Sequence, residues 1–223
     1  MASETDICNM AMAYLGDDAT IASISPPDNS SQSTHCARFY PIARNTLLEM
    51  HAWGFATKRQ SLALLLEAPP SSWLYVYAAP ADALNFLAVI PSDTTDDFGI
   101  GRPNNGSSTG ITNSSVGIYT PQTYTHEADA TGAQIIYTNQ VNAVLRYTAL
   151  VTDPTQFTPL FIEALAWLLA SKLAGPVLKG DAGAKMSMEC IKQFRYWMSQ
   201  ATMSDANQQR HQTPMQTSWL ANR

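Results

Sequence analysis

Charge is scarce in this chain. Only 14% of its 223 residues are Asp, Glu, Lys or Arg, against about 25% in an ordinary globular protein. Basic residues are thinnest in the middle, where Arg102 and Arg146 alone stand between Gln60 and Ser171, against nine acidic residues. With a net charge of -5 and an isoelectric point near 5.2, such a chain is poorly suited to gripping phosphates. Cysteine is rare too. Cys8, Cys36 and Cys190 lie far apart with no CxxC or Cys-His spacing, so neither a zinc site nor a disulfide framework is expected, only three buried reduced thiols. The opening MASETDICNM has no basic n-region and no apolar h-region, so it is not expected to act as a secretory signal. Also missing are GxxxxGK[ST], GxGxxG and HExxH, the marks of phosphate loops, dinucleotide folds and zinc proteases. The four histidines, His35, His51, His126 and His211, are scattered. His35 adjoins Cys36, but neighbouring positions on a helix point in different directions. No cofactor and no metal is expected.

What the chain has in abundance is grease, concentrated in Phe157 to Pro176, FTPLFIEALAWLLASKLAGP. Apolar residues at 157, 160, 161, 164, 165, 168, 169 and 173 trace one helical face, and Ile162 and Trp167 widen it until little of the circumference is polar. Asp153-Pro154 and Thr158-Pro159 each offer an N-cap followed by proline, and Gly175-Pro176 reads as the stop. Glu163, Ser171 and Lys172 interrupt the run, leaving it short of the roughly 20 clean residues of a membrane span. A soluble chain is therefore expected, with this helix covered by its own chain, by neighbouring subunits or by both. Phe161, Glu163 and Trp167 on this helix, with Arg44 and Lys172, are the candidate subunit-interface residues.

Around that helix the pattern predicts an α+β fold. A first helix spans 4–15, capped by Thr5 and ended by Gly16, and a second spans 31–51 with a kink or break at Pro41. The second carries Cys36, Phe39, Tyr40, Ala43, Leu47 and Met50 on its apolar stripe and holds Arg38 and Arg44 off it. From 54 to 150 the residues favour strands: 55–66, the run Trp73 to Tyr77, 86–90, a return over 118–125, and 133–137 with 143–150 as a hairpin. Residues 92–130, rich in Gly, Ser, Thr and Asn, form a long exposed loop, whose Phe98, Ile100 and Arg102 are candidate contacts with a partner or a neighbouring subunit. A last helix covers 181–207, with Met186, Cys190, Phe194, Trp197, Met198 and Ala201 on its inner face. Beyond it lies a polar tail whose Trp219-Leu220 pair suits an anchor in a pocket elsewhere. The expected organisation is a helical bundle from 1–53 and 151–207, a β-rich insertion from 54–150, and a C-terminal arm from 208–223.

Chemistry offers little. Glu163 lies on a helix expected to be buried, and a buried glutamate can act as general acid in glycan cleavage. That mechanism needs a second carboxylate, for which only Glu127 and Asp129 offer themselves. Pairing of Glu163 with Arg44, Lys172 or a neighbour's lysine is the plainer expectation. Arg38, Arg44, Lys58, Arg59, Lys179, Lys185, Lys192 and Arg195 could form a basic patch for DNA, yet no reading motif accompanies them. Solvated faces and intersubunit ion pairs account for them equally well.

Several segments in order resemble the head-to-tail adaptor proteins of tailed bacteriophages, the tail tubular protein A type of short-tailed phages. They are Met12 to Gly16, Cys36-Ala37-Arg38-Phe39-Tyr40-Pro41 to Arg44, and His51-Ala52-Trp53-Gly54-Phe55-Ala56. The run from Trp73 to Leu84 continues them, followed by Leu145-Arg146-Tyr147, Val151 to Phe157 and Glu163-Ala164-Leu165-Ala166. The resemblance covers the chain except about 92–130 and the tail. It implies a non-enzymatic virion protein of the tail neck, assembled in the host cytoplasm, without a membrane. It further implies a homo-oligomeric ring, usually a dodecamer, that docks under the portal protein and carries the tail nozzle protein. Double-stranded DNA would slide through the ring without specific binding. The C-terminal extension would reach along the portal, which marks Arg210, Met215, Trp219 and Leu220 as portal-binding residues. Phe98, Ile100 and Arg102 then fall to the nozzle or the neighbouring subunit. Two alternatives stand beside this: a virion-associated peptidoglycan hydrolase using Glu163, and a DNA-binding head-closure factor.

Overall fold

The computed structural model describes residues 2–67, 69–70, 72–92 and 122–208. The loop contacts at Phe98, Ile100 and Arg102, residues 118–121 of the expected 118–125 strand, and the tail residues Arg210, Met215, Trp219 and Leu220 lie outside the described residues; within the expected 92–130 loop, Tyr124–Ala128 is a strand instead. The fold is α+β. The chain divides into two compact units, changing from one to the other between Thr57 and Lys58 and back between Tyr147 and Thr148.

The first unit is helical. Helix α1, Glu4–Tyr14, starts from a capping box in which the Ser3 hydroxyl accepts from the Asp6 N–H and the Asp6 carboxylate accepts from the Ser3 N–H. The expected cap, Thr5, is already inside the helix; a serine three residues ahead of an acid satisfies two orphan donors at once. Helix α2, Ser31–Glu49, is capped by Ser30 and runs unbroken through Pro41. Between them Asn9 clips the loop, accepting from the Ile21 N–H at 2.8 Å and donating to its carbonyl at 3.1 Å. Helix α3, Pro159–Leu178, is capped by Thr158, and α4, Gly180–Gln208, follows at once.

The expected stop at Gly175-Pro176 does not hold. The last turn closes with Lys179 N–H donating to the Gly175 carbonyl at 3.0 Å, and the chain reverses at Lys179 and Gly180, whose φ angles are 55° and 57°. Proline removes one helical donor, which here leaves the ladder intact around it. At 20 residues α3 is consequently long and apolar enough to cross a membrane by length and composition. In this fold α1, α2 and α4 pack against it, burying among others Phe161, Leu165, Leu169 and Leu173 completely. Each such side chain contributes roughly 1.5–3 kcal/mol.

An aromatic cluster ties the helices at one end. Trp53 is fully buried, its indole N–H donates to the Leu47 carbonyl at 2.9 Å, and its ring meets Phe161 edge-on at 5.0 Å. Phe55 and Phe157 also meet Phe161, at 5.1 and 4.8 Å. Tyr40 is equally buried, but its hydroxyl has no partner among the described residues. An unpaired buried hydroxyl carries a desolvation penalty. Tyr40→Phe is therefore expected to raise stability by about 1 kcal/mol, read as a higher denaturant midpoint at unchanged slope; a loss would mean that the hydroxyl finds a partner in solution.

The second unit is built of strands, seven among the described residues. One sheet has the order β1 (Thr57–Ser61), β7 (Val144–Ala149), β4 (Ala83–Ile90). The other has the order β2 (Ala63–Leu64), β3 (Tyr75–Ala78), β6 (Gln134–Thr138), β5 (Tyr124–Ala128), all antiparallel, with Val76 opposite Tyr137 and Thr125 opposite Tyr137 from the other side. The expected 133–150 hairpin is thus overturned: β6 and β7 belong to different sheets. Each already has both edges occupied, β6 by β3 and β5, β7 by β1 and β4. The link between them turns through Asn142 at φ 50°, a left-handed conformation that asparagine tolerates.

Candidate functional site

Three polar clusters stand out, and the one with an open face surrounds Glu163. Tyr14 at the end of α1 stacks on Trp167 of α3, ring centroids 4.0 Å apart and planes within 11°. The Tyr14 hydroxyl donates to Glu163 Oε1 at 2.6 Å, and the Trp167 indole N–H donates to the same oxygen at 3.2 Å. Burial first, and then that bond, push the Tyr14 phenol upward, so it stays protonated and remains a donor. Glu163 borders an open recess of about 370 Å³ whose wall includes Met10, Pro154, Phe157, Pro159 and Ile162. The helical ladder of α3 fixes this set: Glu163 and Trp167 are one turn apart on one face.

This arrangement corrects the expected pairing of Glu163 with a base of its own chain. Arg44 instead points its guanidinium at Glu4, Nη1 to Oε1 at 3.6 Å, and donates from Nε to Asn45 at 3.1 Å. Arg44 is also not off the apolar face of α2, since it is only 8% exposed. It sits one turn from Tyr40 and two from Cys36, so the helical period carries it inward and its stem packs while its head reaches a carboxylate. Met50, expected on that stripe, is 52% exposed, past the end of the helix. Among the expected subunit-interface residues, Phe161 is fully enclosed by its own chain and has no surface to offer a neighbour in this fold. Glu163, Trp167 and Lys172 are half-buried and keep one side open.

The second cluster joins α4 to the chain after α2. Asp205, 4% exposed, accepts from the Gly54 N–H at 3.0 and 3.3 Å and lies 3.1 Å from His51 Nε2. A Cβ on Gly54 would come within 3.1 Å of the Asp205 Oδ1, so a side chain there would crowd the carboxylate that the Gly54 N–H binds. The third lies in the β-unit. Tyr147 donates to Asp82 at 2.9 Å and touches Gln60 at 3.1 Å, while Lys58 Nζ pairs with the other Asp82 oxygen at 2.8 Å. The Lys58 ammonium foremost holds the Asp82 carboxyl below its usual range, and burial foremost pushes Tyr147 up to about 12. An ionised acid and a protonated phenol at neutral pH are partners in structure, with no proton poised to move between them.

For acid-base chemistry at Glu163, the two expected partner carboxylates sit in the other compact unit. Glu127 is exposed on β5. Asp129 is bound into its own turn, accepting from Thr131 and Ala133, contacts that lower its pKa, the Thr131 hydroxyl first. Cys8, Cys36 and Cys190 are buried and unbridged. The Cys36 contact foremost, and burial after it, push the Cys8 thiol up, which keeps it a poor nucleophile. Among the described residues no three His, Cys, Asp or Glu side chains gather where a metal could sit.

No local pattern brings Tyr14 to Glu163, 149 residues apart. The outer face of α4, by contrast, is countable along the chain: Met188, Ile191, Tyr196 and Met203 are 68%, 36%, 56% and 59% exposed. Their spacing marks a second apolar stripe opposite the inner one of Cys190, Phe194 and Ala201. Compared with protein-family models and with curated proteins, the chain matches none.

Proposed function

We propose that this chain is a structural adaptor: one subunit of a homo-oligomeric ring in a phage tail neck, joining portal to nozzle and framing part of the DNA conduit, without catalysis. The observation that carries the reading is the outer face of α4. Four large apolar side chains stand in solvent on a 29-residue helix of a chain with only 14% charged residues. Exposed apolar surface of that kind marks a contact with another macromolecule. The acid-rich stretch between Gln60 and Ser171 suits a wall past which DNA moves without adhering. The ordered resemblance of Met12 to Gly16, His51 to Ala56 and Trp73 to Leu84 to head-to-tail adaptors supplies the specific assignment, a dodecamer by analogy with that family. On this reading Arg210, Met215, Trp219 and Leu220 form the portal-binding arm.

The test is co-sedimentation of the purified chain with isolated portal rings, followed by electron microscopy. The expected result is a ring seated on the portal, and at least a tenfold weaker association for Trp219→Ala, as loss of a buried aromatic anchor costs about 2 kcal/mol or more. A chain that never binds portal rings overturns the reading. Equal binding by Trp219→Ala removes the arm from it.

A further inference from the structure

We infer that the recess beside Glu163 is the socket for the outer face of α4 of a second copy of this chain, with the Arg195 guanidinium on the open oxygen of Glu163. The inference rests on the adaptor reading and names the contact through which its subunits join.

The socket is half-finished as it stands. Both donors to Glu163, Tyr14 and Trp167, are neutral and both use Oε1; among the described residues the second oxygen has no partner. Of the two bases of its own chain expected to neutralise Glu163, Arg44 is occupied by Glu4, and Lys172 forms no ion pair with Glu163 among the described residues. The wall beside the carboxylate is apolar, made by Met10, Phe157, Pro159 and Ile162. Glu163 is the charged residue of its lining, with no Lys or Arg beside it among the described residues, and Asp153 adjoins the wall residue Pro154 in sequence. An apolar cleft edged by an uncompensated carboxylate selects a side chain with an apolar stem and a cationic head.

The same chain carries that complement. Met188, Ile191 and Arg195 fall at i, i+3 and i+7 on α4, one stripe of one face. Met188 is 68% exposed and Arg195 is exposed, with no ion-pair partner among the described residues. Its neighbour Lys192 is already paired with Glu189 at 2.8 Å. Arg195 thus has a charge without a carboxylate, and Glu163 a charge without a cation. Apolar contact from Met188 and Ile191 supplies affinity, and the ion pair fixes register. Plug and socket are different patches of the same unit, so each copy can engage two neighbours, the geometry from which rings close.

The experiment is sedimentation velocity of the full chain over a concentration series, as wild type, Arg195→Glu, Glu163→Gln and a 1:1 mixture of the two variants. Glu163→Gln keeps a carbonyl oxygen for the Tyr14 and Trp167 donors, so its fold is preserved while its charge is lost; thermal melts of both variants verify this. Wild type is expected to associate, and each variant to do so about tenfold more weakly or worse. The mixture is expected to recover a 1:1 pair, because Arg195→Glu retains the socket and Glu163→Gln retains the plug. Variants that associate like wild type overturn this contact and leave the adaptor reading untouched. A wild type that is monomeric at every concentration also overturns it, and the adaptor reading then stands or falls on portal binding alone.

Discussion

Gly183→Val is expected to lower the stability of the helical unit by about 3 kcal/mol, through backbone rather than side-chain crowding. Gly183 is buried where α4 crosses α3. A Cβ there would lie 2.8 Å from the Ala174 carbonyl oxygen and 3.3 Å from the Gly175 Cα. A flexible side chain could swing aside, but these are backbone atoms of a packed helix, so α3 and α4 would have to separate along their length. Alanine sets two effects against each other: it favours the helix over glycine by about 1 kcal/mol yet still brings the first clashing carbon, and overpacking of this sort costs about 1–3 kcal/mol. Alanine should therefore lose less than valine, and valine, with two more methyls and a poorer helix propensity, should lose most. Chemical denaturation followed by far-ultraviolet circular dichroism measures both. A valine variant as stable as wild type would mean that the helices part freely at this crossing.

Asp205→Ala is expected to cost about 2–3 kcal/mol, and Asp205→Asn about 1 kcal/mol, the difference between removing and weakening a charged acceptor. An acid near the C-terminal end of a helix is unfavourable by about 0.3–1 kcal/mol on account of the helix dipole, and α4 ends at Gln208. Its place there is explained by tertiary contact: both carboxylate oxygens take the Gly54 N–H, and one lies beside His51. These bonds hold the end of α4 to the segment leaving α2, next to Trp53. Should the alanine variant melt with the wild type, water must serve Gly54 as well as the carboxylate does, and Asp205 would need another reason to be buried.

How much of this was legible beforehand differs by scale. The four helices were written locally, because a face repeating every third and fourth residue lies within one short window. So were the Thr158 cap and the apolar excess of α3. The α4 inner stripe follows from the spacing of Cys190, Phe194 and Ala201, and the outer stripe of Met188, Ile191 and Tyr196 follows from the same count. The inward position of Arg44 is countable from Tyr40 and Cys36 too, because helical phase and not charge decides which way the residue faces.

The amino-acid order alone determined, then, which segments become helices and most of those that become strands, Tyr124–Ala128 excepted, and that two pairs of helices flank a β-rich middle, since these follow from side-chain periodicity within a turn or two. Only the tertiary structure decided which strand edges meet, putting β6 and β7 in separate sheets, and which partners the few charges take, giving Arg44 to Glu4 and Glu163 to Tyr14 and Trp167. The reason is competition. A strand edge or a carboxylate can be satisfied by any of several distant groups, and the choice depends on what the whole packed chain brings within about 3 Å, a distance that no local pattern records.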